Sequence, residues 1–281
     1  MQQLIKWTGS KRSQCIEISK NILSEYETYF EPFCGSCALG FYLLKTKSMQ
    51  FKKFIFSDIN NDLINTYNTI KENPQTIIDD YRKYWNELNK DDNIKRKQEY
   101  YKLMRECLNT SHEPSVFFFI MRVVQNGMPR YNQKGEFNSS FHITRPGANP
   151  SLICKIVNEY YNLLNNHNVV FKQCNYFEHP YSENDLAYLD PPYFNTHGIY
   201  YGKINYDKFI SFLKSLKSDF LLSFDGISTK DNTAEIPKVY NEHKYIYSGK
   251  SPFNRIRNQK DVKVFESLYI KTKNNTNSDE W

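Results

Sequence analysis

Asp190-Pro191-Pro192-Tyr193 stands directly after the apolar run 186–189. A carboxylate at a strand's end sits where open α/β sheets place their chemistry. Two successive prolines remove two backbone N–H donors and stiffen the turn, leaving carbonyl oxygens there to accept from a ligand. A carboxylate, a carbonyl and an aromatic face together suit a planar amine. Asp190 and the Pro191 carbonyl each accept one N–H, and Tyr193 stacks on the ring. An ordinary strand-terminating turn accounts for the prolines but not for the whole set.

Two further groups read as a binding site. Pro32-Phe33-Cys34-Gly35 is a turn between a strand and a helix, where a glycine lets backbone approach a ligand closely. Asp58, at the end of the next strand, suits an acceptor for ribose hydroxyls; the alternative makes it the cap of a helix from Asn60 onward. No glycine triplet and no P-loop lysine pattern is present, so a pyrophosphate is a poor fit for the ligand.

The elements that must hold these residues follow from hydrophobic period. Residues 29–31 read as a strand, 36–45 as a helix, 54–57 as a second strand, and the stretch after Asp58 as a helix to Asn73. Such a β-turn-α-β-α unit builds a parallel sheet with its crevice at the carboxyl ends of the strands. After Pro74 the chain turns charged, Tyr-rich and helical to about Asn109, with a further helix over 114–124. Within 125–141, Asn132 and Gly135 bracket a tight turn between aromatic-bearing arms, the pattern of a β-hairpin. A helix over 150–166, strands at 169–171, 186–189 and 220–224, a helix at 206–216 and two closing antiparallel strands at 244–247 and 262–270 complete the reading. The expected fold is therefore α/β. Residues 1–73 and 167–281 form a Rossmann-like core with a mostly parallel sheet, interrupted by a helical and hairpin insert at 74–166.

Composition bounds the function. The 281 residues are 40% apolar and 24% charged, which excludes collagen-like, coiled-coil and wholly disordered chains. The longest apolar run, 116–121, falls far short of the roughly 20 residues of a membrane span. The N-terminus lacks the apolar stretch of a secretory signal, so the expected compartment is the cytoplasm. A net charge of +6 is compatible with a polyanionic partner without requiring one. Among six cysteines only Cys34 and Cys37 are closely spaced, with no second pair and no His at finger spacing, so neither a zinc site nor any other metal is expected. A thioredoxin-like redox pair is the other use of that spacing.

The motifs in order resemble the Dam-like adenine-specific DNA methyltransferases. Lys6-Trp7-Thr8-Gly9-Ser10-Lys11 is similar to their K-W-x-G-x-K element, and the stretch from Tyr29 through Phe33 and Gly35 to Cys37 to their F-x-P-F-x-G-x-G loop. Phe56-Ser57-Asp58 resembles their acidic strand end, Asp190 to Tyr193 their D-P-P-Y, and Asn126-Gly127, Arg130-Tyr131-Asn132 and Gly135-Glu136-Phe137-Asn138 their target-recognition hairpin. Two positions depart from the pattern. Cys37 replaces the last loop glycine, so that turn must accept a side chain, and Asn175, followed by Tyr176, replaces the acidic residue at the cofactor's adenine. An Asn carbonyl still accepts from an adenine amine.

The resemblance implies S-adenosylmethionine, which carries no phosphate, as cofactor, with Trp7, Lys11, Phe33, Gly35, Asp58, Asn175 and Tyr176 around it. Plain core aromatics are the other reading of Trp7 and Phe33, and a solvated charge that of Lys11. It implies methylation of the adenine N6 amine in double-stranded DNA. Hydrogen bonds from both amine protons to Asp190 and the Pro191 carbonyl favour a pyramidal nitrogen whose lone pair faces the methyl, which transfers directly. A stacked base cannot reach such a pocket, so the resemblance also implies base flipping, with Pro192 stiffening the turn and Tyr193 replacing lost stacking. Arg130 matches a recognition arginine able to read guanine, with Asn132 beside it. Arg122, Lys134 and the basic-loop residues Arg255 and Arg257 are candidate phosphate contacts, with solvated surface as the alternative. Double-stranded DNA is the implied partner, with room for a cognate restriction endonuclease and none for a membrane. A methyltransferase for an RNA adenine or a protein amide, and a non-catalytic DNA-binding module, are the competing functions.

Overall fold

The computed structural model describes residues 2–192, 204–224, 236–250 and 263–273. Tyr193, Arg255 and Arg257 lie outside them. The described chain forms two compact units, one of residues 11–57, 174–192 and the later segments, the other of residues 2–10 and 58–173.

The first unit is built on a mixed sheet. Its strands are β1 (Tyr26–Glu31), β2 (Phe51–Asp58), β4 (Leu186–Leu189), β5 (Asp219–Phe224), β6 (Glu242–Lys250) and β7 (Lys263–Lys271), with β3 (Val169–Gln173) falling in the second unit. In the order β2-β1-β4-β5-β7-β6, the ladders through β5 are parallel and the last two antiparallel. This Rossmann-like α/β arrangement is the expected fold class. The four residues of β4 and all six of β5 are buried, as continuous apolar runs in a covered parallel sheet require. Parallel pairing brings Glu31, Leu189 and Phe224 to the same carboxyl edge. The antiparallel register Phe224↔Ser267 brings Glu266 of β7 there as well.

α1 (Cys15–Ser19) and α2 (Ala38–Thr46) follow the unit's N-terminal 3-10 turn and β1, and α8 (Tyr206–Ser215) precedes β5. Gly40 sets how closely α2 lies on the sheet. A Cβ there would stand 2.1 Å from the Phe56 ring and 2.7 Å from the Glu31 carboxylate.

The second unit is helical. α3 (Asn61–Glu72), α4 (Pro74–Leu88), α5 (Ile94–Ser111), α6 (Pro114–Val123) and α7 (Pro150–Asn165) surround α6, in which every residue from Ser115 to Val123 is buried. α3 turns Leu63, Ile64, Tyr67 and Ile70 inward and packs on α4, α6 and α7, so it belongs with these helices. The compact unit therefore takes in 58–73 and β3 besides the expected insert 74–166; Tyr67 stacks on Phe171 of β3 at 4.8 Å. No helix among the described residues is long and apolar enough to cross a membrane.

Candidate active site

Asp190 follows β4 directly, at the sheet's carboxyl edge. Its Oδ1 accepts from Lys11 Nζ at 2.8 Å, and the same ammonium lies 3.4 Å from Glu266. Lys11 is only 6% exposed, so the reading of a solvated charge does not describe it. It enters from the 3-10 turn Lys11–Ser13 before α1. Burial pushes the Asp190 carboxyl up to about 6; Lys11 pulls it down, and the Glu266 charge adds to the rise. The single ammonium thus keeps a desolvated carboxylate ionised at neutral pH.

The neighbouring strand β1 ends in a buried carboxyl. Glu31, the last residue of β1, accepts from the Tyr29 hydroxyl at 2.8 Å and from the Gly40 N–H at 2.9 Å. Burial nevertheless pushes it up to about 8, with the Asp190 charge contributing, so near neutrality Glu31 is largely protonated. One carboxylate and one carboxylic acid are therefore set apart by environment, and the ionised one faces the turn where a substrate would bind.

Two prolines hold that turn. The Pro192 carbonyl accepts from the Tyr206 hydroxyl at 2.8 Å. Tyr188, inside β4, hydrogen-bonds Ser223 of β5 at 2.9 Å and fixes the strand from below.

The loop from Pro32 to Cys37 shapes the neighbouring surface. Gly35 has φ +44°, and Cys37, which starts α2, has φ +50°. Both lie in the left-handed region that favours glycine. The departure from the family pattern at Cys37 therefore puts a fully buried thiol on strained backbone. Neither Cys34 nor Cys37 is joined in a disulfide. The Phe33 ring stacks on Tyr176 at 5.2 Å and 29°. Asn175 precedes this ring and is held by its side-chain contact to Glu178 at 3.3 Å. No Lys or Arg stands in the loop to neutralise phosphates. Aromatic rings and the Asn175 amide thus make a surface without a cation, which suits a phosphate-free nucleoside.

In the helical unit, Asp58 closes β2 and its Oδ1 accepts the Asn60 N–H at 3.0 Å. The cap of α3 is Asn60, whose side chain accepts from Leu63 N at 3.1 Å, so the capping alternative for Asp58 does not hold. Trp7 is half-buried in a segment laid against Gly127, where the Thr8 N–H donates to the Gly127 carbonyl at 2.9 Å. Gly127 has φ +62°, and a Cβ on it would come within 3.3 Å of Lys6 and Trp7 backbone. Only glycine fits there without strain.

The expected hairpin forms without strands. Isolated bridges Val124↔Phe141 and Tyr131↔Phe137 close it, and side chains do the rest. Asn109 binds both backbone groups of Phe137, and Ser139 accepts the Arg130 N–H while donating to the Met128 carbonyl. Asn132 is spent on the turn itself, accepting from the Lys134 and Glu136 N–H groups and donating to the Glu136 carboxylate. Arg130 and Lys134 are exposed. Arg122, an expected phosphate contact, is elsewhere. It is 5% exposed inside α6, donating to the Gln3 and Leu4 carbonyls at 2.8 and 3.3 Å. A guanidinium in an all-buried helix must find internal acceptors, and it ties down the N-terminal segment.

Among the described residues no group of three or more His, Cys, Asp or Glu side chains is arranged to hold a metal ion. Glu31 and Glu266 are site residues that sequence reading missed. The Glu266 position arises from strand register, which leaves no local signal.

The family model described as D12 class N6 adenine-specific DNA methyltransferase matches residues 7–264. Type II methyltransferase M.MjaIII of Methanocaldococcus jannaschii is 30% identical over 206 residues, covering 69% of this chain and 69% of its own. Type II methyltransferase M.CviBI of Paramecium bursaria Chlorella virus NC1A is 26% identical, covering 79% and 82%. A DNA adenine methylase of Haemophilus influenzae is 30% identical, covering 67% and 63%.

Proposed function

The chain belongs to the D12 class N6 adenine-specific DNA methyltransferases, and from that premise we propose that Asp190 and the Pro191 carbonyl hold an adenine N6 amine for direct methylation by S-adenosylmethionine. The observation that carries this reading is the partly buried Asp190 carboxylate, held at the end of β4 by its ion pair with Lys11. The cofactor supplies an electrophilic sulfonium methyl when bound.

The chain's own residues do the rest. An adenine amine is a weak nucleophile because its lone pair is delocalised into the ring. Asp190 and the Pro191 carbonyl each accept one amine proton, which favours a pyramidal nitrogen and directs its lone pair. Lys11 keeps Asp190 in the accepting, ionised state. Phe33, Gly35, Asn175 and Tyr176 form the cofactor surface, with Trp7 completing it and Asp58 accepting from ribose hydroxyls. Tyr193 stacks on a base extruded from the duplex, since a paired base cannot reach a pocket of this kind. Arg130 reads a base edge, with Lys134, Arg255 and Arg257 on phosphates; Arg122 and Asn132 are assigned to structure instead. The reaction takes place on cytoplasmic double-stranded DNA, and the matching type II relatives make a cognate restriction endonuclease a partner to seek beside the gene.

Labelled S-adenosylmethionine, offered with duplex DNA, RNA or protein, tests this. Label recovered as N6-methyladenine from the duplex is the expected result. Label in RNA or protein alone, or cofactor binding without transfer to any of them, overturns it.

A further inference from the structure

Below the cofactor surface lies a buried polar junction that the chemistry above leaves unused. His179 is 7% exposed, and its ring is gripped by Phe30 of β1 at 5.1 Å and Tyr181 at 5.7 Å. Its Nε2 lies 2.6 Å from the hydroxyl of Ser57 and 3.3 Å from the thiol of Cys174. Ser57 is fully buried, and its carbonyl accepts the Cys34 N–H at 2.9 Å. One nitrogen therefore joins two chain segments directly, and the Ser57 carbonyl ties in a third. Ser57 leads directly into Asp58, Cys174 leads directly into Asn175 and Tyr176, and Cys34 precedes Gly35 in the loop.

We infer that His179 is a positioning residue for the methyl donor, its Nε2 locking Ser57 and Cys174 so that the end of β2 at Ser57, the Cys34–Gly35 loop bound to it and the adenine-facing segment after Cys174 keep one mutual geometry. The inference rests on the cofactor reading above. This imidazole sets one nitrogen against two polar side chains from separate segments, and because a buried polar group left unpaired is costly, the contacts constrain both segments. The three segments it joins are sequence-distant. A shift at any one misplaces the groups that receive the nucleoside, and affinity in such sites depends on preorganisation.

His179→Phe keeps a flat ring between Phe30 and Tyr181 and removes the nitrogen, while Ser57→Ala removes the hydroxyl at small cost in volume. Calorimetric titration of the full chain with S-adenosylmethionine should show each variant bound about tenfold more weakly, the scale of one lost hydrogen bond. The cofactor KM should rise likewise, with kcat within about twofold of wild type. The double variant replaces both partners by apolar groups, so it should recover thermal stability without recovering affinity. If affinity returns together with stability, or if both single variants bind as wild type, His179 only packs. Should His179→Phe fail to fold, Ser57→Ala decides alone. Asp58→Ala is the control. If it too binds as wild type, the cofactor reading itself has failed; if it binds weakly while Ser57→Ala does not, only the inference about His179 has.

Discussion

The corner at Asp190 and the turn between Val124 and Phe141 spend their polar groups in opposite ways. At the corner, Lys11, Asp190, Glu266 and Glu31 come from four separate stretches of chain and are largely buried, so each determines the protonation or position of another. In the turn between Val124 and Phe141, the polar side chains serve the backbone instead. Asn132, Ser139 and Asn109 satisfy the turn's own backbone, and the charged side chains Arg130 and Lys134 are turned outward. The corner is therefore built to keep one chemistry fixed, while the turn holds its shape with residues other than those that would read DNA. Substitutions at the corner should cost turnover, and substitutions at the turn's exposed positions should change preference without unfolding the chain.

The largest effect belongs to Asp190. Asp190→Ala should lower kcat by about 100- to 1000-fold, roughly 2.7–4 kcal/mol of barrier, the scale of a lost preorganised partner of the reacting group. Single-turnover methylation of a duplex measures it, and retention of more than about a tenth of wild-type rate would sink the assignment. Because Asp190 must be ionised to accept from the amine, the rate should fall as pH drops through about 6. Lys11→Met removes the charge that holds this carboxyl down, so the acid limb of the pH–rate profile should move to higher pH. An unmoved limb would mean another group limits the rate.

Glu31 gives an effect of a few kcal/mol on stability in place of rate. In the folded chain it keeps its proton up to about pH 8, whereas unfolded it releases it near 4.5. Between those values the folded state binds more protons, so this group's contribution to stability falls as pH rises. Glu31→Gln keeps an acceptor for Tyr29 and Gly40 and abolishes the titration. Urea unfolding from pH 5 to 8 should show a flatter pH dependence in the variant, and parallel curves would refute the buried-acid description.

Arg122 tests the comparison from inside the sequence region assigned to recognition. Arg122→Met should destabilise the chain by about 1–3 kcal/mol, because the Gln3 and Leu4 carbonyls lose their donor. Site preference of the folded fraction should stay unchanged. A changed preference would return Arg122 to the DNA surface.

These contrasts also mark what could be read beforehand. The strand that ends at Asp190, the β-turn-α-β-α order and α6 were legible because local period and turn chemistry specify them. Glu266 reaches the corner by antiparallel register and Glu31 by lying at a strand end, neither of which leaves a local pattern. Arg122 read as surface because charge alone was weighed. The run Phe117-Phe118-Phe119-Ile120-Met121-Arg122-Val123, apolar on every face, was the available sign that its guanidinium would be internal. The hairpin was legible as a turn but not as one lacking strands, since Asn109, 28 residues before Phe137, replaces the ladder.

The smallest effects separate Arg130 from Lys134, neighbours on one turn with different expected work. A guanidinium satisfies the two guanine acceptors in one plane, so Arg130→Ala should cost about 1–3 kcal/mol at one base pair and relax selectivity there. An ammonium on a phosphate carries no sequence information. Lys134→Ala should weaken all duplexes alike and lower the salt slope of binding by about one unit. The fold should survive both changes, since Arg130 holds the turn through its backbone N–H to Ser139, its side chain reaching the Met128 sulfur, and Lys134 gives its backbone N–H to Asn132. Methylation of a randomised duplex library by each variant, with binding measured at several salt concentrations, separates the two. If Arg130→Ala keeps every positional preference and loses only affinity, then Arg130 is a backbone contact like Lys134. The base-reading residues would then lie among the turn's other exposed positions, Gln133 and Asn138 first.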